Sequence, residues 1–257
     1  MPADDGSRDS GSGRGSLAGG VGTERALEIE IPRGGAALLD FDGTLSDTFP
    51  IHLRAYNEVL AEAGHDGFPW PIYRERVVRD GARPLDVLRE IGFDVGEEIY
   101  RRKARRFASL ARETLRPREG MQEFVSDLQA AGLRLAVVTS AGRPSVIPSL
   151  EAVWPGPPPD LVVTREDVAR PKPDPEGFLL AMDLLRVRRS ETIVFEDAPP
   201  GIRAASGAGS RCIAVHGHVF GPGDLGEASL VVDSWTRLVV EPRGRGGVRI
   251  RLREGGR

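Results

Sequence analysis

Two rhythms of apolar residues run along this chain. Ala36–Phe41 reads as a strand buried on both faces of a sheet, where apolar residues need not alternate with polar ones. After it, Leu53, Tyr56, Leu60 and Ala63 recur at the three- and four-residue spacing of a helix over about 50–63, closed by Gly64. Residues 70–116 hold helical stripes and no good strand: Leu85, Leu88 and Ile91, then Ile99, Phe107, Leu110 and Leu115 on a long, very basic helix. From Gly120 the pattern becomes strand–helix alternation. A helical face (Met121, Phe124, Val125, Leu128) precedes a strand over 133–138, and a Pro-rich loop precedes Leu161–Val163. A helix over 176–185, the strand Thr192–Phe195, a helix over 200–208 and the strand Cys212–Val215 follow. Leu230–Val232 suits an edge strand, and Arg237–Val240 with Val248–Leu252 suits a terminal hairpin. Such alternation predicts an α/β fold with a parallel sheet and right-handed crossovers, interrupted once by an all-helical insert.

Composition narrows the class. The 257 residues are 40% hydrophobic and 28% charged, enough for a globular core. A net charge of −3 gives no basic field for nucleic acid. No run approaches the ~18 apolar residues of a membrane span, and the Gly/Ser/Asp-rich first residues lack an apolar signal core. The lone Cys212 excludes an internal disulfide and reads as a buried small hydrophobe. A cytoplasmic protein, a monomer or a small homo-oligomer, is expected. Of 35 basic residues only Lys103 and Lys172 are lysine, so wherever a positive charge alone is needed this chain uses arginine.

Four strand ends carry reactive groups. Ala36–Phe41 leads into Asp40 and Asp42, whose i, i+2 spacing on a strand points both the same way. The strand over 133–138 ends in Thr139 and Ser140. The loop after the third strand holds Lys172 between Pro171 and Pro173. The fourth strand ends in Glu196 and Asp197. In a parallel sheet all carboxyl ends share one edge, where ligands bind. Crowded carboxylates need a cation or a shared proton, so a hydroxyl and a lysine beside them make a Mg²⁺ and phosphate site.

With these four clusters in order, the chain resembles the haloacid dehalogenase-like superfamily, in its subclass with a helical cap after the first motif, within the β-phosphoglucomutase-like and sugar phosphatase group. The resemblance covers about residues 36–235. It implies a Rossmann-like three-layer α/β/α core over 25–49 and 119–236, an inserted α-helical cap over 50–118, a disordered tail over 1–24 and a C-terminal hairpin over 237–257. It also implies roles. Asp40 is the nucleophile that becomes an aspartyl-phosphate, and Asp42 the general acid and base. Mg²⁺ is held by Asp40, the Asp42 carbonyl, Glu196 and Asp197. Thr139 and Ser140 bind the phosphoryl group, and Lys172 neutralises it. True dehalogenases lack the second acid, so Asp42 points to phosphoryl chemistry. In the cap, His52 resembles a hinge histidine that holds the general acid, and Arg83 lies in a substrate loop, with Pro84 at the position of the mutase's phosphate-gripping arginine. Lys103 resembles a lysine that contacts sugar phosphate. The expected function is a phosphatase for a small sugar or polyol phosphate. The alternatives are a phosphosugar mutase and a non-catalytic interaction module.

Overall fold

The computed structural model describes residues 28–217, 219–244 and 246–253. The tail expected over 1–24 lies outside these residues, as do the last four residues of the expected hairpin segment.

Six parallel strands form the main sheet. In chain order they are β2 (Ala36–Leu39), β3 (Arg134–Val138), β4 (Leu161–Val163), β5 (Thr192–Glu196), β6 (Arg211–Val215) and β7 (Leu230–Val232), and they lie in the order β4-β3-β2-β5-β6-β7. β2 is central, and all four of its residues are fully buried. The strand period of two divides them: Ala36 and Leu38 enter one apolar cluster, Ala37 and Leu39 the other. Burying each such leucine contributes about 2 kcal/mol, which explains a strand without polar alternation. The expected strand stops at Leu39, two residues early. The chain leaves strand geometry at Asp40 and turns at Gly43, whose φ of 90° is left-handed.

Between β2 and β3 every regular element is helical. α1 (Phe49–Glu62) is followed by α2 (Trp70–Ile72), which runs on into a π-helix over Tyr73–Arg79, then α3 (Pro84–Glu90) and α4 (Glu97–Thr114). α4 packs on α1 and also on α6 (Arg143–Val153). Its basic run divides by direction. Arg102 and Arg106 bond Glu62 and Glu58 of α1, Arg101 and Arg105 bond Glu98, and Lys103 is buried at 7% exposure.

The core helices are α5 (Met121–Ala130), α6, α7 (Glu176–Leu185) and α8 (Pro199–Gly207). α6 carries Pro148 inside it, which obscures its periodicity in the sequence. The terminal hairpin, β8 (Leu238–Pro242) with β9 (Gly247–Leu252), gains a third antiparallel strand, β1 (Ile29–Pro32), in the order β1-β9-β8. Ile29, Ile31, Val248 and Ile250 join Phe124 and Phe195 in the second cluster, so this small sheet is part of the core rather than a peripheral tail. Among the described residues no helix is long and apolar enough to cross a membrane.

Candidate active site

The carboxyl ends of β2, β3 and β5 and the loop after β4 meet under α1 and α4, around a cavity of about 810 Å³. Asp40, Asp42, His52, Arg83, Lys103, Ser140, Lys172, Glu196 and Asp197 all line it.

The floor is acidic. One carboxylate oxygen each from Asp40, Glu196 and Asp197 lies within 4.8 Å of the others, and all three side chains are buried. Asp40 is held in place by its backbone N–H, which donates to the Phe195 carbonyl of β5 at 2.9 Å. Gly43 lets the turn close: a Cβ there would stand 2.0 Å from Asp197 Oδ2. Gly201 in α8 does the same for Glu196, since a Cβ would sit 1.7 Å from Oε1. Glu196 Oε2 accepts the Asp197 and Ala198 N–H groups ahead of α8, at 3.0 and 3.3 Å, where the helix end favours negative charge. Thr44 Oγ1 donates to Asp197 Oδ1 at 3.1 Å.

Lys172 is the counter-charge. Its Nζ donates to Asp40 Oδ1 at 2.6 Å, Glu196 Oε1 at 2.6 Å and the Val138 carbonyl at 2.8 Å. Burial and the two carboxylates act on it in opposite directions, and the carboxylates prevail, holding its pKa above the usual lysine range. On Asp40 the balance is reversed. Burial first, then the Glu196 charge, push its pKa up to about 8 despite Lys172. Asp197 is likewise raised, by burial and by Asp40 and Glu196. Three carboxylates against one ammonium leave a surplus of negative charge in a buried cradle of hard oxygen donors. A divalent cation of the Mg²⁺ type fits that donor set.

Asp42 belongs to a separate network. Thr48 Oγ1 donates to Oδ1 at 2.6 Å, His52 Nε2 lies 3.0 Å from Oδ1, and Thr139 Oγ1 donates to Oδ2 at 3.1 Å. Burial would raise its pKa, but these bonds and the histidine outweigh burial and lower it. Lys103 Nζ is 2.6 Å from His52 Nδ1. An ammonium only donates, so Nδ1 accepts and Nε2 carries the proton given to Asp42. Burial, with the Lys103 charge, lowers the His52 pKa and keeps the ring neutral. The ring stacks on Phe107 at 4.0 Å, which fixes its plane.

The two acids spaced i, i+2 therefore face different partners, because the strand has already ended at Leu39. Ser140 lines the cavity, whereas the Thr139 hydroxyl is turned to Asp42. Arg83 is exposed at the cavity mouth and paired with Glu97 at 3.1 Å. Sequence reasoning did not single out Thr44, Thr48, Gly201 or Arg118. Arg118 donates to the carbonyls of Gly43, Val215 and His216 at 2.7–2.8 Å, tying the end of the helical insert to the first turn and to β6. Thr48 had a legible signal, four residues before His52 on the same helix face; Arg118 had none, since its partners are backbone atoms far along the chain.

The family model for haloacid dehalogenase-like hydrolases matches residues 37–215. Protein CbbY of Cereibacter sphaeroides is 34% identical over 218 residues, covering 79% of this chain and 93% of that protein. Hexitol phosphatase A of Escherichia coli is 30% identical, covering 82% and 96%. A crystal structure of a CbbY variant from Rhodobacter sphaeroides in complex with xylulose 1,5-bisphosphate superposes with a TM-score of 0.72 at 32% identity, over 78% of this chain and 94% of that one.

Proposed function

The chain belongs to the haloacid dehalogenase-like hydrolase family, and we propose that it is a Mg²⁺-dependent phosphatase of a small sugar or polyol phosphate, acting through an aspartyl-phosphate on Asp40. The observation that carries the reading is the Asp40 carboxylate, with one oxygen on Lys172 and a group of buried acids beside it on the cavity floor. Helices α1 to α4 act as the cap, which places His52 and Lys103 over that floor.

A free Asp40 oxygen attacks phosphorus, and the bond from phosphorus to the leaving oxygen breaks. Asp42, once protonated, gives that oxygen its proton. As carboxylate, the form favoured by Thr48, His52 and Thr139, Asp42 then takes a proton from water. The water oxygen attacks phosphorus, the bond to Asp40 breaks, and inorganic phosphate leaves. Lys172 opposes the rise in the Asp40 pKa and offers positive charge to the phosphoryl oxygens, with Ser140 at the cavity wall. Mg²⁺, when held by Asp40, Glu196, Asp197 and the Asp42 carbonyl, supplies further charge neutralisation there.

Hydrolysis is preferred to phosphosugar mutation because hexitol phosphatase A matches over most of its length. The intact Asp40 and Asp42 pair speaks against a non-catalytic module. Inorganic phosphate release from a panel of sugar and polyol phosphates tests the reading. Asp40→Asn should lower turnover by about 10⁴-fold or more, and chelation of the metal should remove activity that Mg²⁺ restores. Conversion of β-glucose 1-phosphate to glucose 6-phosphate without phosphate release would overturn it in favour of the mutase.

A further inference from the structure

The π-helix over Tyr73–Arg79 is the least ordinary element of the cap, since such helices are rare and many mark functional sites. It brings together residues five apart. At its end the Asp80 N–H reaches back five residues to the Glu75 carbonyl, at 3.0 Å. In an α-helix residues five apart point about 140° away from each other, whereas in this register they stand on nearly one face. Two such pairs result. Tyr73 and Val78 are buried and line the cavity, together with Val77. Arg74 and Arg79 both turn to the core.

Their partners are the loop after β6 and the helical turn over Pro222–Leu225. Phe220 of that loop is 2% exposed. The Arg74 guanidinium lies 5.6 Å from the centre of its ring, and that of Arg79 lies 5.2 Å away. Arg74 Nε donates to the Val219 carbonyl at 3.0 Å. Arg79 Nη2 donates to Asp224 Oδ1 at 2.7 Å, and Arg74 Nη2 is 4.0 Å from Oδ2. The Gly221 N–H donates to the same Oδ2 at 3.2 Å, which fixes the carboxylate. Its bond to Arg79 holds the Asp224 pKa below the usual range, so it stays charged.

The place of this contact gives it meaning. The cap meets the core on two flanks. On one, α4 packs on α6, which follows β3. On the other, Arg74 and Arg79 meet the loop after β6. β2 and β5 lie between β3 and β6 in the sheet, and the acids of the cavity floor follow or end these two strands. The second flank is built from charges, a carbonyl and one ring. Contacts of this polar kind between two parts of a chain separate more readily than a broad apolar seam.

We propose that Arg74 and Arg79 are positioning residues, a clasp that holds the cap shut on its β6 flank by gripping Phe220 and Asp224. The clasp acts through Tyr73, Val77 and Val78, which the same helix carries into the cavity wall. Its release lets the cap leave the floor, the motion that substrate entry and product departure need.

The double substitution Arg74→Met/Arg79→Met removes both charges and keeps the aliphatic stems. Amide hydrogen exchange in the free protein reads the clasp without any substrate. The amides of 219–225, which this substitution leaves unaltered, should exchange about tenfold faster, while those of β2 and β3 stay as they are. Asp224→Asn should give a smaller rise, read at 73–80. Phosphate release reads the consequence for the reaction, and this arm alone rests on the phosphatase reading above. With glucose 6-phosphate, glucitol 6-phosphate and glycerol 3-phosphate as probes, KM of the double variant should rise about tenfold while kcat changes by less than about twofold, because only the closed fraction of the cap is lost. Arg74→Lys/Arg79→Lys keeps both cations over the ring and should stay within about threefold of wild type in exchange and KM. Unchanged exchange at 219–225, an equal rise in β2 and β3, or a fall in kcat at constant KM would overturn the clasp. Absence of phosphate release from every probe by the wild type would count against the phosphatase reading, and exchange alone would then decide the clasp.

Discussion

Lys103→Met offers a quantitative test of the buried network above the catalytic floor. Burial depresses the Lys103 pKa from its ordinary 10.5 to about 8, with the Asp42 charge opposing the fall. That gap corresponds to about 3 kcal/mol of unfavourable burial of the charged form below pH 8. The unfolded chain binds its proton up to about pH 10.5, whereas the folded chain releases it from about pH 8. Between those limits the unfolded state therefore holds more protons, and wild-type stability rises with pH. Below pH 8 the penalty is fully present. Methionine fills the aliphatic stem of lysine without the charge, but loses the bond to His52 and the contacts over Tyr56 and Phe107. Those losses offset about 1–2 kcal/mol. At pH 7 the variant should be more stable by about 1 kcal/mol, or about 2–4 °C in Tm for a protein of this size. Its advantage over wild type should shrink steadily from pH 8 and reverse by about pH 10.5. Urea denaturation of both proteins at half-unit pH steps measures this difference, in which titrations common to both cancel. Phosphate release at pH 7 should meanwhile fall, because His52 loses the donor that fixes its tautomer. A stability difference that stays flat from pH 7 to pH 10.5 would refute the reasoning.

Gly43→Ala should abolish phosphate release and destabilise the fold by about 1–3 kcal/mol, since a Cβ at φ 90° would collide with Asp197 Oδ2 at 2.0 Å; kinetics and urea melts check both. Arg118→Met removes three bonds to backbone carbonyls, and should lower stability by about 2–4 kcal/mol in urea melts. Its kcat should fall with KM little changed, because the bonds place the first turn and not the substrate.

The sheet was legible because its central strands are buried on both faces and read as bare apolar runs, as in Ala36-Ala37-Leu38-Leu39. The reactive clusters were legible because three sit at strand ends and the fourth in the loop after β4, and parallel topology brings the strand ends together. β1 was not read, although Ile29 and Ile31 alternate with Glu28 and Glu30, because four residues of alternation are too short to stand out from a loop. Its identity as a strand depends on β9, more than two hundred residues away. The divergence of Asp40 and Asp42 was hidden for a similar reason. Spacing alone puts them on one side of a strand, and the end of the strand at Leu39, ahead of both acids, sends them to different partners. Thr139 illustrates a further limit: a hydroxyl at a strand end can serve the cavity or the acid next to it, and the choice is made by side-chain geometry.

The lysine scarcity of the chain gains a physical meaning from the site. Both lysines are buried there, with side-chain exposure of 9% for Lys172 and residue exposure of 7% for Lys103. Lys172 serves three acceptors on three different segments, Asp40, Val138 and Glu196, from one atom. A tetrahedral ammonium can do that, whereas a planar guanidinium spreads its donors in one plane and needs more room. Lys103 must keep one donor on His52 between two aromatic rings at the cavity wall. Arginine would remain charged at any pH, whereas lysine at a pKa of about 8 is less costly to bury. Arginine thus occupies the surface and mouth positions, where its fork pairs with Glu58, Glu62, Glu97 and Glu98. Lysine is kept for the two places where a compact cation must fit inside. Composition alone sets these two residues apart, and the geometry supplies the reason that neither can be exchanged for the chain's usual cation.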